Sequence, residues 1–207
     1  EDAKGILLTF AKYIKNGLVP NMFPDEGIDP IYNTVDASMW YFYSVDKYLE
    51  YTGKKEDYDF IQKEIYPKLK EIIEAYKKGT DFSIYMDKDG IIHAGGGFDQ
   101  VTWMDVRVGE WVVTPRHGKP VEINALWYNA LKIMYELTGE TSYNALALKV
   151  KESFINNFWM EEEGYLKDVI TVDESRKYTE KQIRCNQVWA LSLPYSTPLA
   201  LNTHTSS

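Results

Sequence analysis

The feature that most restricts the fold of this sequence is a helical hairpin pattern that occurs twice. Tyr48-Leu-Glu-Tyr-Thr-Gly53 resembles Tyr135-Glu-Leu-Thr-Gly139, and each string closes a stretch in which apolar residues recur every three or four positions. Trp40 and Trp127 lie at similar places in the two stretches. Because repeated antiparallel helical hairpins stack on their neighbours, the pattern predicts an all-α solenoid or toroid.

The same periodicity predicts six helices. They are expected over a first segment that stops at Gly17 and then over residues 34–53, about 57–78, 120–139, 147–158 and about 182–193. Thr34 is expected to cap the second helix, and Gly53 to end it. Pro67 should kink or split the third helix, because proline donates no backbone hydrogen bond.

Two small β-ribbons are expected in the connections. Residues 82–86 and 91–93 flank a turn that ends at Gly90, and a second ribbon is expected to start at residues 163–166. The connection over residues 80–118 is long for a compact helical domain, and connections of this length commonly carry function. We therefore expect the chemistry in this loop.

Charge and composition exclude several classes of protein. The 23 Lys and Arg residues and 31 Asp and Glu residues leave a net charge of −8, which argues against a nucleic-acid partner. No apolar run approaches the ~20 residues that span a membrane. A start at Glu1-Asp2-Ala3-Lys4, unlike a signal peptide, and the single Cys185 predict a cytoplasmic protein.

Metal and nucleotide sites are not indicated. One cysteine and three well-separated histidines (His93, His117 and His204) provide no ligand spacing. The glycines at 95–97 lack the spacing of a phosphate-binding loop. We therefore expect no cofactor and no metal.

Thr102-Trp-Met-Asp105 carries the sharpest catalytic candidate. Apolar neighbours would desolvate Asp105 and raise its pKa, which suits a general acid. Asp105 could instead have a structural role, as the cap of a turn or in an ion pair with Arg107. Asp99 and Glu110 are alternative candidates for the catalytic carboxylate in the same loop. Aromatic residues make up 14% of the chain and can pack in a core or stack on sugar rings, with core packing the more common role.

Other polar strings supply candidate binding groups. Arg116 and Lys119 can donate to hydroxyls or carboxylates, and Glu122 and Asn124 follow in the first turns of the next helix. Trp127 lies on the apolar stripe of that helix and fits a core role equally well.

Two further strings complete the candidate set. Asp36 near a helix start can simply complement the helix dipole. Arg184-Cys-Asn-Gln187 places polar residues before an apolar run, and Cys185 has no histidine at a spacing that would activate it.

Taken in order, five strings resemble one family, the amylo-α-1,6-glucosidase domain of glycogen debranching enzymes. The resemblance covers residues 1–196. The strings are Gly17-Leu-Val-Pro-Asn-Met-Phe-Pro24, Tyr32-Asn-Thr-Val-Asp-Ala-Ser-Met-Trp40, Thr102-Trp-Met-Asp105, Pro115-Arg-His-Gly-Lys-Pro-Val-Glu-Ile-Asn-Ala-Leu-Trp-Tyr-Asn129 and Arg184-Cys-Asn-Gln187.

The resemblance implies about half of an (α/α)₆ toroid and an inverting hydrolysis of α-1,6-linked glucose in branched, glycogen-like α-glucan. It gives Asp105 the role of general acid. The positions that it assigns to the sugar pocket are Asp36, Trp40, Trp103, Arg116, Glu122, Asn124, Trp127, Asn186 and Gln187.

The sequence also departs from the family. Cys185 stands where family members usually have proline, and residues 197–207 form a tail outside the pattern. The second catalytic carboxylate is expected beyond this sequence, so the 207-residue chain is predicted to be inactive by itself. Uncovered hairpins are expected to expose apolar surface and to favour self-association.

Two other functions remain open at this stage. A non-catalytic helical module could keep an aromatic cleft and bind glucan without hydrolysing it. A sugar epimerase on a similar toroid would need histidines at its centre, and only His93 and His117 lie near the proposed site.

Overall fold

The computed structural model describes residues 2–24, 29–104 and 106–196, which are mainly helical. The α-helices are α1 (Asp2–Lys12), α2 (Asp36–Thr52), α3 (Lys55–Phe60), α4 (Tyr66–Lys78), α5 (Val121–Thr138), α6 (Thr141–Phe158) and α7 (Trp189–Ser192). A π-helical turn covers Ile61–Ile65, and 3₁₀ turns cover Glu174–Lys181 and Cys185–Val188.

Helix α5 is the centre of the described structure. It packs against α2, α6 and α7, and 13 of its 18 residues are buried. A helix that is covered on so many sides needs apolar residues around most of its circumference, as the sequence of α5 provides. The two repeated glycines end α2 and α5 in the left-handed conformation, with φ of +58° at Gly53 and +69° at Gly139. Both predicted helix ends are confirmed.

The predicted interruption of the third helix is also confirmed. The π-helical turn separates α3 from α4, and Pro67 is the second residue of α4. Proline is accommodated at this position because the first turn of a helix has no intrahelical partner for its N–H groups. The segment over residues 55–78 therefore stays helical throughout, with a local change of hydrogen-bond pattern at Ile61–Ile65.

Three predictions about helix termini are wrong. Helix α1 ends at Lys12 rather than at Gly17, because Lys15 and Leu18 exchange backbone hydrogen bonds across a tight turn. Val35 is the N-cap of α2, and the buried Thr34 hydroxyl has no hydrogen-bond partner. The helix expected over 182–193 is replaced by the 3₁₀ turn and the four-residue α7. Gln187 causes this difference, because its side chain accepts from the Arg184 N–H and donates to the Gln182 carbonyl, which keeps the chain extended there.

Within residues 2–24, 29–104 and 106–196, four two-stranded antiparallel ribbons lie in the connections. The predicted ribbon over 82–86 and 91–93 is confirmed as β1 (Tyr85–Met86) with β2 (Ile92–His93). A second ribbon is present as β6 (Trp159–Met160) with β7 (Tyr165–Leu166), but residues 163–166 end it rather than start it, because its first strand directly follows α6. The sequence did not predict β3 (Arg107–Val108) with β4 (Trp111–Val112), or β5 (Gly118–Pro120) with β8 (Val169–Thr171). Strands β5 and β8 join the segment before α5 to the segment after α6.

The contact between α1, α2 and α3 depends on a carboxylate. Lys4 donates to Asp57 at 2.7 Å, and the Tyr48 hydroxyl also donates to Asp57. Hydrogen bonds from Lys4 and then Tyr48 lower the pKa of Asp57 from 3.8 to about 2. Its stabilising contribution is therefore complete above pH 3.8 and is lost as the pH falls through about 2.

The Asp57→Asn variant is expected to unfold with a weaker pH dependence than the unsubstituted chain between about pH 4 and pH 2. Urea midpoints measured across this range would test the expectation. The two chains should converge at the acid end, where Asp57 is protonated. Parallel pH profiles would contradict the assigned coupling.

None of the helices in the described part of the chain is both long and apolar enough to cross a membrane. Large apolar side chains are nevertheless exposed at several points, among them Val106, Val108, Trp111, Ile183, Val188 and Leu191. Self-association through such surface remains a prediction, which sedimentation velocity would test.

Candidate active site

Three of the side chains expected in the sugar pocket line one aromatic cleft. Asp36, Trp40 and Trp103 are shared by two adjoining cavities of about 470 and 410 Å³. The larger cavity reaches α1, and the smaller one reaches α7, where Trp189 meets Trp40 edge to face with ring centroids 4.9 Å apart. We call these two cavities, with their shared residues, the aromatic cleft.

Helix α2 places Asp36 and Trp40 beside the same two cavities. They lie four residues apart in the first turns of α2, so they project from one side of the helix. Trp103 approaches from the long loop and is 56% exposed. The cleft therefore combines apolar ring faces with a carboxylate, which is a suitable combination for a polyhydroxylated ligand.

A buried ion network lies next to this cleft. Arg116 is fully buried and donates to both carboxylate oxygens of Glu122, with Nη2 at 2.6 Å from Oε2. Its Nε donates to Asp168 Oδ2 at 2.9 Å, and its Nη2 donates to the Asp168 carbonyl at 2.8 Å. These acceptors offset the cost of removing a charged guanidinium from water.

Asp168 connects the predicted site residues to one another. Its Oδ2 also accepts from Arg184 Nη1 at 2.9 Å, and its Oδ1 accepts from Asn186 Nδ2 at 2.7 Å. Asn186 Oδ1 in turn accepts from the Trp103 indole N–H at 3.1 Å. Residues from the loop, the start of α5 and the 3₁₀ turn are therefore joined through one carboxylate that the sequence analysis missed.

Asp168 carries little local signal in the sequence. It stands between β7 and β8 in Leu166-Lys-Asp168, which belongs to none of the five family strings. A lone aspartate next to an apolar strand is a weak hint of a buried ion partner. The partners of Asp168 lie 52 and 18 positions away at Arg116 and Asn186.

Burial and neighbouring charges shift the pKa values of Arg116 and Glu122 in opposite directions. Burial lowers the pKa of Arg116, but the charges of Glu122 and Asp168 outweigh it and raise that pKa. Burial raises the pKa of Glu122, and the Arg116 charge opposes this effect. The two arginines and two carboxylates cancel in formal charge, which is the arrangement that low-dielectric surroundings favour.

Three other predicted pocket residues are held by backbone hydrogen bonds. Asn124 accepts from the Ile92 N–H and donates to the Ile92 carbonyl, which fastens β2 to α5. The buried Trp127 indole donates to the Gly90 carbonyl at 3.1 Å. Gln187 holds the extended stretch before the 3₁₀ turn. Their roles as sugar contacts remain predictions.

Asp105 lies outside the described residues, so its predicted place in the cleft is untested. Its described neighbour Met104 contacts Asn186, with Sδ 3.2 Å from Nδ2. Of the competing carboxylates, Asp99 accepts from the Gly96 N–H at 3.1 Å. Glu110 lines a different cavity of about 340 Å³ together with Trp111.

Metal ligation receives no support from the geometry. Among the residues that the structure describes, no three His, Cys, Asp or Glu side chains are grouped as metal ligands would be. Glu122 and Asp168, the buried carboxylates of the network, are occupied by arginines.

The described fold is similar to parts of two solved rhamnosidase structures. A rhamnosidase from Klebsiella oxytoca with rhamnose bound matches with a TM-score of 0.57 and 12% identity, over 90% of this chain and 34% of its own. A GH78 family rhamnosidase from Bacillus sp. GL1 gives a TM-score of 0.52 and 16% identity, over 83% and 18% of the two chains. At these identities the similarity concerns the fold alone.

Sequence similarity identifies the family of this chain. The family model described as amylo-alpha-1,6-glucosidase matches residues 1–204, and the chain belongs to this family. The glycogen debranching enzyme of Saccharomyces cerevisiae is 28% identical over 68% of this chain. The matched part spans only 12% of the yeast protein. Family membership confirms the resemblance seen in the five strings.

Proposed function

We propose that the chain forms part of an (α/α)₆ toroid in a glycoside hydrolase that removes α-1,6-linked glucose from branched α-glucan with inversion. The observation that carries this proposal is the aromatic cleft, in which Asp36, Trp40 and Trp103 meet. These residues come from two of the five family strings, and Asn186 of a third string holds Trp103. The packing of α5 with α2 and α6 fits the hairpin units that such a toroid requires.

In this proposal the cleft binds the terminal glucose. The exposed face of Trp103 covers the apolar side of a sugar ring, and Trp40 closes the opposite part of the cavity. The Asp36 carboxylate accepts hydrogen bonds from sugar hydroxyls. A cleft of about 470 Å³ lies within the size range of small-molecule sites.

Asp105 acts as the general acid and transfers a proton to the glycosidic oxygen. Inversion also needs a second carboxylate, roughly 6.5–9.5 Å away, that activates water on the opposite face of the sugar. Glu122 is unsuitable for that role because both of its oxygens accept from the buried Arg116. Glu110 lines the cavity at Trp111 rather than the aromatic cleft.

Binding of an α-1,6-linked oligosaccharide provides the first test. We expect the chain to bind panose, which carries one α-1,6-linked glucose, more tightly than maltotriose, in which both linkages are α-1,4. The Trp103→Ala variant should weaken panose binding about 10-fold, which corresponds to about 1.4 kcal/mol of lost ring contact. Isothermal calorimetry or fluorescence titration would measure the change.

Trp111→Ala is the matched control, because Trp111 is similarly exposed at 60% but lines the separate cavity. Its panose affinity should equal that of the unsubstituted chain. Equal losses in the two variants would place the sugar elsewhere and contradict the proposed cleft.

Turnover provides the second test. We expect no useful release of glucose from branched glucan by the 207-residue chain, since loss of one acid–base partner typically costs about 10²–10⁴-fold in rate. Asp105→Asn should then change nothing further. Robust release that disappears in Asp105→Asn would show that a base lies within these residues. Binding without Asp105-dependent release in any longer form of the protein would favour a non-catalytic glucan-binding module.

A further inference from the structure

We infer that Asp168 is a positioning residue, which holds the Trp103 indole at the aromatic cleft through Asn186. The contacts form a continuous chain from the buried carboxylate to the exposed ring, with distances of 2.7 Å and 3.1 Å. The consequence for sugar binding rests on the proposed function. The effect on the indole itself does not.

The direction of the hydrogen bonds is determined by the chemistry of the two ends. An ionised carboxylate only accepts, and an indole N–H only donates. Asn186 therefore has one favourable orientation, with its NH₂ group toward Asp168 and its oxygen toward Trp103. The charge on Asp168 selects this orientation, and the indole then has a fixed acceptor.

Asp168 is a rigid anchor for this arrangement. Its backbone N–H donates to the Glu180 carbonyl, and its own carbonyl accepts from the Val121 N–H, each at 3.0 Å. Arg116 and Arg184 both donate to Oδ2 of the same side chain, at 2.9 Å each. Both the main chain and the side chain are thus held before any ligand arrives.

Trp103 needs such an anchor because packing does not hold it. More than half of its surface is exposed, at 56%, and exposed side chains change rotamer on the picosecond to nanosecond timescale. A ring that is held in its binding orientation loses less conformational entropy when a sugar stacks on it. Asp168 would therefore raise affinity without touching the sugar.

Hydrogen exchange of the indole N–H tests the anchor without a ligand. The Trp103 resonance can be assigned in a ¹⁵N spectrum by its absence in Trp103→Phe. We expect the exchange of this N–H to be slowed relative to a free indole, and Asp168→Asn to accelerate it about 10-fold or more. Asp57→Asn is the matched control, since Asp57 is also an ion-paired carboxylate but has no connection to Trp103. It should leave the indole exchange unchanged.

Panose titration tests the consequence for binding. Asp168→Asn should weaken binding about 10-fold in the unsubstituted background, but by less than about 2-fold when Trp103→Phe is already present. A general loss of structure would weaken binding to the same extent in both backgrounds. If Asp168→Asn does not fold, Trp103→Phe alone decides, since it keeps an aromatic ring at an exposed site and removes the anchored N–H together with part of the ring.

The outcomes separate the two proposals. Unprotected Trp103 in the unsubstituted chain, unchanged exchange in Asp168→Asn, or equal losses of affinity in both backgrounds would overturn the positioning role. In the folding-failure case, unchanged panose affinity in Trp103→Phe would also overturn it. Exchange that depends on Asp168 in a chain that does not bind panose would support the positioning role and contradict the proposed function.

Discussion

Replacing Arg116 by methionine is expected to lower the free energy of unfolding by about 3–5 kcal/mol. Methionine approximates the length of the side chain but leaves Glu122 without an ion partner and Asp168 with Arg184 alone. A carboxylate that is buried without compensation is far more costly than the loss of one hydrogen bond. Urea denaturation followed by tryptophan fluorescence would measure the change.

Two further variants make this expectation specific. Arg176→Met removes an exposed partner of Asp173 and should cost less than about 1 kcal/mol. Adding Glu122→Gln to Arg116→Met should recover part of the lost stability, because the unpaired charge is then gone. Equal effects of the two arginine substitutions would show that the buried network contributes little.

The Gly118→Ala substitution is expected to lower the free energy of unfolding by about 3 kcal/mol or more, because a strained backbone and a steric clash coincide at this position. Its φ of +118° disfavours any side chain, and a Cβ atom would lie 2.2 Å from the Ile170 carbonyl oxygen. The clash is with the backbone of the paired strand β8, which directly follows Asp168 in the chain. Separation of β5 from β8 would therefore disturb the Arg116 network as well as the ribbon.

Gly97→Ala separates these two costs. Gly97 also has a positive φ, of +57°, but a Cβ atom there would meet nothing within 4 Å. The Gly97→Ala substitution should therefore lower the free energy of unfolding by only about 1–2 kcal/mol, the cost of backbone strain. Thermal unfolding of the two variants would show the difference. Similar losses would mean that the ribbon tolerates separation.

Local patterns were sufficient for much of the fold. The periodicity before Gly53 and Gly139 predicted α2 and α5 and their left-handed ends. Pro67 predicted the interruption before α4 because its effect on backbone hydrogen bonding is local. The same locality explains the failure over residues 182–193, where a glutamine side chain competes with the helix for backbone groups.

The candidate site was predicted residue by residue, but its connections were not. Motif strings named Trp103, Arg116, Glu122 and Asn186 without indicating which of them touch. The structure joins them through Asp168, which no string contains. Asp105, on which the proposed chemistry depends, remains a prediction of the sequence alone.

What the sequence by itself determined was most of the longer helices, the C-terminal ends of α2 and α5, and the family to which the chain belongs. These follow from interactions between residues three or four positions apart and from motifs that are contiguous in the chain. Only the tertiary structure decided that Arg116 is buried, that it pairs with a carboxylate 52 positions away, and that this carboxylate leads to Trp103. Ion pairs of this kind form because burial makes unpaired charge costly, and burial depends on how distant elements pack.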